Sequence, residues 1–151
     1  MFAEMPFYGR IAGRMMNQNN RDYFDRQVEW VLERLPQSVL RILQEVPLHV
    51  EDQPSQQLMQ ELNITEPEEL CGYFCGVPYS ETNTFAGVFS AGVYMPNNIT
   101  IFRRGVIAGA RDEWGKVCRK KLRREIRITI LHELAHLHGM EEEEIASMGY
   151  G

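Results

Sequence analysis

LHELAHLHGM, residues 131–140, carries the run His132-Glu133-Leu134-Ala135-His136, an H-E-x-x-H pattern. The residues around it predict a helix from about Lys116 to His138. Its first half is amphipathic and basic. From Ile126 onward, Ile126, Ile128, Ile130, Leu131, Leu134, Ala135 and Leu137 fall all around the axis. A helix that is apolar on every side is a buried helix. Two histidines and a glutamate are costly there unless they are paired or hold a metal.

Helical residues turn by about 100° each, so His132 and His136 differ by about 40° and stand about 6 Å apart along the axis. Both imidazoles can reach one zinc ion with bonds of about 2.0 Å. Glu133 lies about 100° from His132 and about 60° from His136. That places it beside a metal, where a carboxylate accepts a proton from a zinc-activated water without displacing it. The competing reading, a chance match on an exposed helix, conflicts with the apolar surroundings of Glu133. His138 is about 200° round from His136 and points away; it suits a helix C-terminus, where the dipole favours it.

Two histidines need a third ligand, and only fifteen residues follow His136. A glutamate from a second, distant helix has no room. Gly139 suits a left-handed cap that reverses the chain. The pattern then reads His132-Glu133-x-x-His136-x-x-Gly139-x-x-Glu142. This is the metzincin spacing with glutamate for the last histidine, and a carboxylate oxygen is an acceptable zinc ligand. Glu142 is the first candidate and Glu143 the second, ahead of Glu141, Glu144 or an upstream residue. The run Glu141–Glu144 has a plainer role as well: acids at the start of a short helix, 141–148, interact well with its dipole.

The rest of the chain sets the frame. Its 151 residues suffice for one domain with a real core. A net charge of −5 argues against nucleic acid as a partner of the whole molecule. One segment runs the other way: Lys116, Arg119, Lys120, Lys121, Arg123, Arg124 and Arg127. It reads as a solvated helix face in salt bridges with nearby acids, with an anionic partner as the alternative. Three cysteines, Cys71, Cys75 and Cys118, do not form a disulfide framework, and Cys71-x3-Cys75 lacks a second ligand pair for a structural zinc. No stretch is apolar and long enough to span a bilayer, and the N-terminus has no continuous apolar run of a signal peptide. The expectation is a cytoplasmic protein that does not engage a membrane.

Residues 1–20 read as an irregular arm and 21–151 as a single domain. Phe24, Val28, Val31, Leu32 and Leu35 predict a helix over 21–35, ended by Pro36. PQSVLRILQEV predicts a second, with Pro36 near its first turn and Val39, Leu40 and Leu43 inward. VPLHVED, CGYFCGV and NITIFRR read as strands. Residues 53–64 form a loop or short helix, and Thr65 and Glu68 stand at capping-box spacing. FAGVFSAGVYMPNN reads as a hairpin or a loop packed on the core.

With these blocks assembled, the chain resembles the small bacterial zincin-like metallopeptidases, the minimal zincins. LHELAHLHGMEEEEIASMGY, ITIFRRGVI, VPLHVEDQP and FDRQVEWVLERLP carry the resemblance, in family order, over most of residues 22–150. It implies an α+β fold: a small mixed sheet with a long active-site helix. It also implies one zinc per chain, bound by His132, His136 and a carboxylate after the glycine, commonly aspartate. Here Glu142 stands in that place, with a longer side chain and a different rotamer. Met148 is too near the end to equate with a Met-turn and has a packing role. The expected activity is peptide-bond hydrolysis by a zinc-activated water with Glu133 as general base, on a peptide or protein substrate. Tyr150 is a candidate oxyanion donor, with terminal packing as its plainer role. The alternative is a zinc-stabilised binding or regulatory protein with weak or no hydrolytic activity. A retained Glu133 favours the enzyme, because a structural zinc site has no use for a neighbouring base.

Overall fold

The sheet is built around NITIF, whose alternate isoleucines must be covered on one face. In a computed structural model that describes residues 16–76, 97–139 and Glu143, β3 (Asn98–Phe102) is the central strand. It lies between β1 (Leu48–Glu51) and β2 (Gly72–Cys75). β1 runs parallel to β3, with Leu48 opposite Ile99 and Val50 opposite Ile101. β2 runs antiparallel, with Phe74 opposite Ile99 and Gly72 opposite Ile101. Ile99 and Ile101 are fully buried, whereas His49 and Glu51 of β1 face solvent, the alternation of a sheet covered on one side.

The helices are α1 (Gln18–Leu32), α2 (Gln37–Glu45), α3 (Gln56–Glu61), α4 (Arg103–Gly109) and α5 (Arg119–Leu137). All but α3, which buries no residue, contribute to the core that covers that face. Phe24, Val28 and Val31 of α1 join Leu122, Ile126, Ile130, Leu134 and Leu137 of α5 in one core with the β3 isoleucines. The result is the mixed α/β arrangement expected of a minimal zincin.

Boundaries differ from the sequence expectations for local reasons. α1 starts at Gln18 rather than 21, because Asn17 accepts the Asn20 N–H at 2.9 Å and caps it. It stops at Leu32 rather than Leu35: a residue before proline leaves the helical region, and Leu35 N–H already bonds back only three residues, to Leu32. Pro36 is the N-cap of α2, with ψ 147, immediately before the first turn. α5 starts at Arg119 rather than Lys116, since Val117 pairs with Arg111 and Cys118 is the cap. The Thr65 and Glu68 capping box is not made; Pro67–Glu69 is a 3-10 turn, and Thr65 bonds Glu69 instead.

α4 has no counterpart among the sequence expectations. It buries Val106 and Ile107 completely. Its first residue, Arg103, donates to Asp25 of α1 and to Asp52 after β1, and Arg21 of α1 also donates to Asp52 at 2.6 Å. This network ties α1, the end of β1 and the start of α4. The expected hairpin at FAGVFSAGVYMPNN lies, but for its last two residues, outside the described residues, as do the first fifteen residues and most of the run after Gly139. No helix among the described residues is long and apolar enough to cross a membrane.

Candidate metal centre

The C-terminal turns of α5 lie against the sheet because Ile126, Ile130, Leu134 and Leu137 are buried in the core. That fixes the rotation of the intervening positions. Glu133 is buried at 6% exposure, while His132 and His136 are half-buried on an adjoining face. His138 is exposed and is the C-cap of α5.

The two histidines converge. Their Nε2 atoms stand 3.2 Å apart, with ring centroids at 4.9 Å and planes at 70°. Two nitrogens bonded at about 2.0–2.1 Å to a tetrahedral zinc stand roughly 3.3–3.4 Å apart. The observed spacing therefore fits such an ion with little adjustment. α5 ends with His138 N–H on Leu134 and Ala135 carbonyls, and Gly139 takes φ +79. Gly139 thus takes the left-handed conformation of a helix C-cap.

Glu133 faces β2. A Cβ added at Gly72 would stand 3.0 Å from both Cγ and Oε1 of Glu133 and 2.8 Å from Cγ2 of Thr129. Only a residue without a side chain leaves that space. Cys71, just before β2, senses the same neighbourhood: burial, then the charges of Glu125 and Glu133, push its thiol up to about 11. Tyr73 is also raised, by burial first and then by Cys75, Glu61 and Glu133. Both groups are protonated and neutral near pH 7, so neither adds a negative charge beside Glu133. Sequence reasoning did not single out Gly72 or Tyr73, and it weighed Cys71 only as a disulfide or structural-zinc candidate. Glycine beside a short strand run was the available signal, but nothing local links it to Glu133.

Profile comparison adds the deciding observation: the zincin-like metallopeptidase family matches residues 43–150, more than half of the chain. The chain belongs to that family. Its metallopeptidase chemistry and zinc binding follow at the level of the family. The matched region holds α5, β1, β2 and β3 of this zincin-like protein, but it begins within α2 and leaves α1 outside. No curated protein matches the sequence.

Among the described residues, no three histidine, cysteine or acidic side chains gather into a metal-holding group. Glu142, the expected third ligand, lies outside the described residues, with Glu141, Glu144, Met148 and Tyr150. Glu143 is described and exposed.

Proposed function

We propose that this zincin-like protein hydrolyses peptide bonds with one zinc ion held by His132, His136 and Glu142. The convergence of the two Nε2 atoms at 3.2 Å supports this reading most directly. When bound, zinc would lower the pKa of a coordinated water toward neutrality and polarise a substrate carbonyl. The remaining work falls to the chain. His132 and His136 present imidazole nitrogens from one face of a helix whose neighbouring turns are locked in the core. The left-handed φ of Gly139 and the spacing Gly139-x-x-Glu142 support Glu142 as the third ligand. Glu133 accepts a proton from the attacking water at a carboxylate oxygen and returns it to the leaving amine. Its packing against Gly72 holds that carboxylate in one position without a competing side chain.

The test is metal content. Protein purified without added metal should carry about one zinc per chain. His132→Ala and His136→Ala should each lose it while keeping the helical circular dichroism signal. Zinc retained in both variants would overturn the ligand assignment.

A further inference from the structure

On the side of α5 away from the histidines lies a groove of about 400 Å³. Trp30 and Val31 of α1 form its floor, and Arg34 follows just past the end of that helix. Arg119, Lys120, Arg123, Arg124 and Arg127 of α5 form the other wall. At about 100° per residue, these five cations centre roughly 170° from His132 and His136.

Among the described residues, the salt bridges expected for this basic face are not made by its members on α5. Among the described residues, none of the five α5 cations is ion-paired with a carboxylate, and Arg34 meets only exposed Glu33, at 3.5 Å. The first turn of α5 has no acid, so Arg119 and Lys120 stand at the positive end of the helix dipole. Burial, and then the like charges of Arg119 and Arg34, hold Arg123 below its ordinary value. Six cations and no acid line one concavity, which concentrates positive potential there.

We propose that this groove docks an acidic peptide segment of a partner protein. Guanidinium forks pair with carboxylates through two parallel hydrogen bonds. The Trp30 edge and the aliphatic stems of the arginines offer apolar surface to the side chains between those carboxylates. A single-stranded nucleic acid fits less well. Arg34 and Arg123 each place Cζ 3.8 Å from the Trp30 ring centroid, and two groups that close lie on opposite faces. No face remains for a base to stack on, which is a main source of single-strand affinity. The net charge of −5 also repels a long polyanion, while a short acidic segment meets only the basic groove. α1 lies outside the matched residues 43–150, so the Trp30 and Val31 floor of the groove is not part of the matched region. The proposal does not depend on the hydrolytic reading.

Fluorescence anisotropy tests it, with a short fluorescein-labelled peptide in which glutamates alternate with leucines. Mass spectrometry after each titration verifies that the peptide is intact. Wild type is compared with the double variant Arg124→Glu, Arg127→Glu; both residues are exposed, so the core is untouched. Thermal melting checks the fold, and the neutral pair Arg124→Gln, Arg127→Gln replaces the double reversal if that does not fold. The expected result is saturable binding that weakens with added salt and falls roughly tenfold or more in the variant. No saturable binding, or binding that the variant retains, overturns the proposal. So does equal affinity for the same peptide with glutamine for glutamate. Tighter binding of labelled oligothymidylate or of phosphatidylserine vesicles, lost in the same variant, would reassign the groove and also overturn it.

Discussion

Gly72 and Glu133 share one volume: a Cβ on the strand residue would stand 3.0 Å from the carboxylate oxygen of the helix residue. The edge strand and the active-site helix are thus fitted to each other at the residue proposed as base. Gly72→Ala should displace Glu133 and destabilise the fold by roughly 1–3 kcal/mol, the usual range for overpacking. Adding Thr129→Ser removes the 2.8 Å conflict with Cγ2 but not the one with Glu133. Urea denaturation of the single and double variants should show partial recovery of stability, with activity still reduced. A Gly72→Ala protein as stable and active as wild type would contradict the packing described.

Glu142→Ala should weaken zinc more than alanine at Glu141, Glu143 or Glu144. The left-handed reversal at Gly139, φ +79, motivates this order. Competitive chelator titrations on the four variants decide it, and unchanged affinity in Glu142→Ala would move the ligand elsewhere.

Asp52 should make stability sensitive to acid. Its hydrogen bond from Arg21 holds its carboxyl below the ordinary range, against the upward push of burial, and Arg103 adds to the effect. A depressed carboxylate contributes stability above its unfolded value, near 3.9, and loses it as pH falls through the folded value below that. Asp52→Asn should cost roughly 1–3 kcal/mol at neutral pH. The gap from wild type should be flat above about pH 5 and shrink below about pH 4. Denaturation midpoints across that range give the answer; a gap independent of pH would rule out the linkage.

Tyr23 offers a gain. Its hydroxyl is buried with no hydrogen-bond partner among the described residues. Replacing a buried unsatisfied group by an apolar one of similar shape is neutral or favourable. Tyr23→Phe should therefore melt at or above the wild-type temperature, with a gain of up to about 1 kcal/mol. A clear loss would mean that the hydroxyl has a partner.

What the sequence made legible follows from which forces are local. The all-round apolar second half of α5, the alternation in NITIF and the stop at Pro36 each carry their own signal, and those elements are present. The convergence of His132 and His136 was legible because four residues of helix fix it. α4 was not: seven residues with glycines at 105 and 109 span too few turns to show a period, and its burial comes from distant neighbours. The meeting of Gly72 with Glu133 joins strand to helix across the fold, which no window of sequence contains. The basic stripe of α5 was visible, but its lack of acidic partners depended on where α1 docked.

The proposed role of Glu133 is tested most directly by comparing wild type and Glu133→Gln at matched zinc content on a diverse peptide library. The substitution keeps side-chain shape within the pocket beside Gly72 and removes the capacity to accept a proton. The account predicts chelator-sensitive cleavage by wild type, a fall of about 10²- to 10⁴-fold in the variant, and unchanged zinc occupancy. Cleavage that survives chelation, or that Glu133→Gln retains in full, would contradict it.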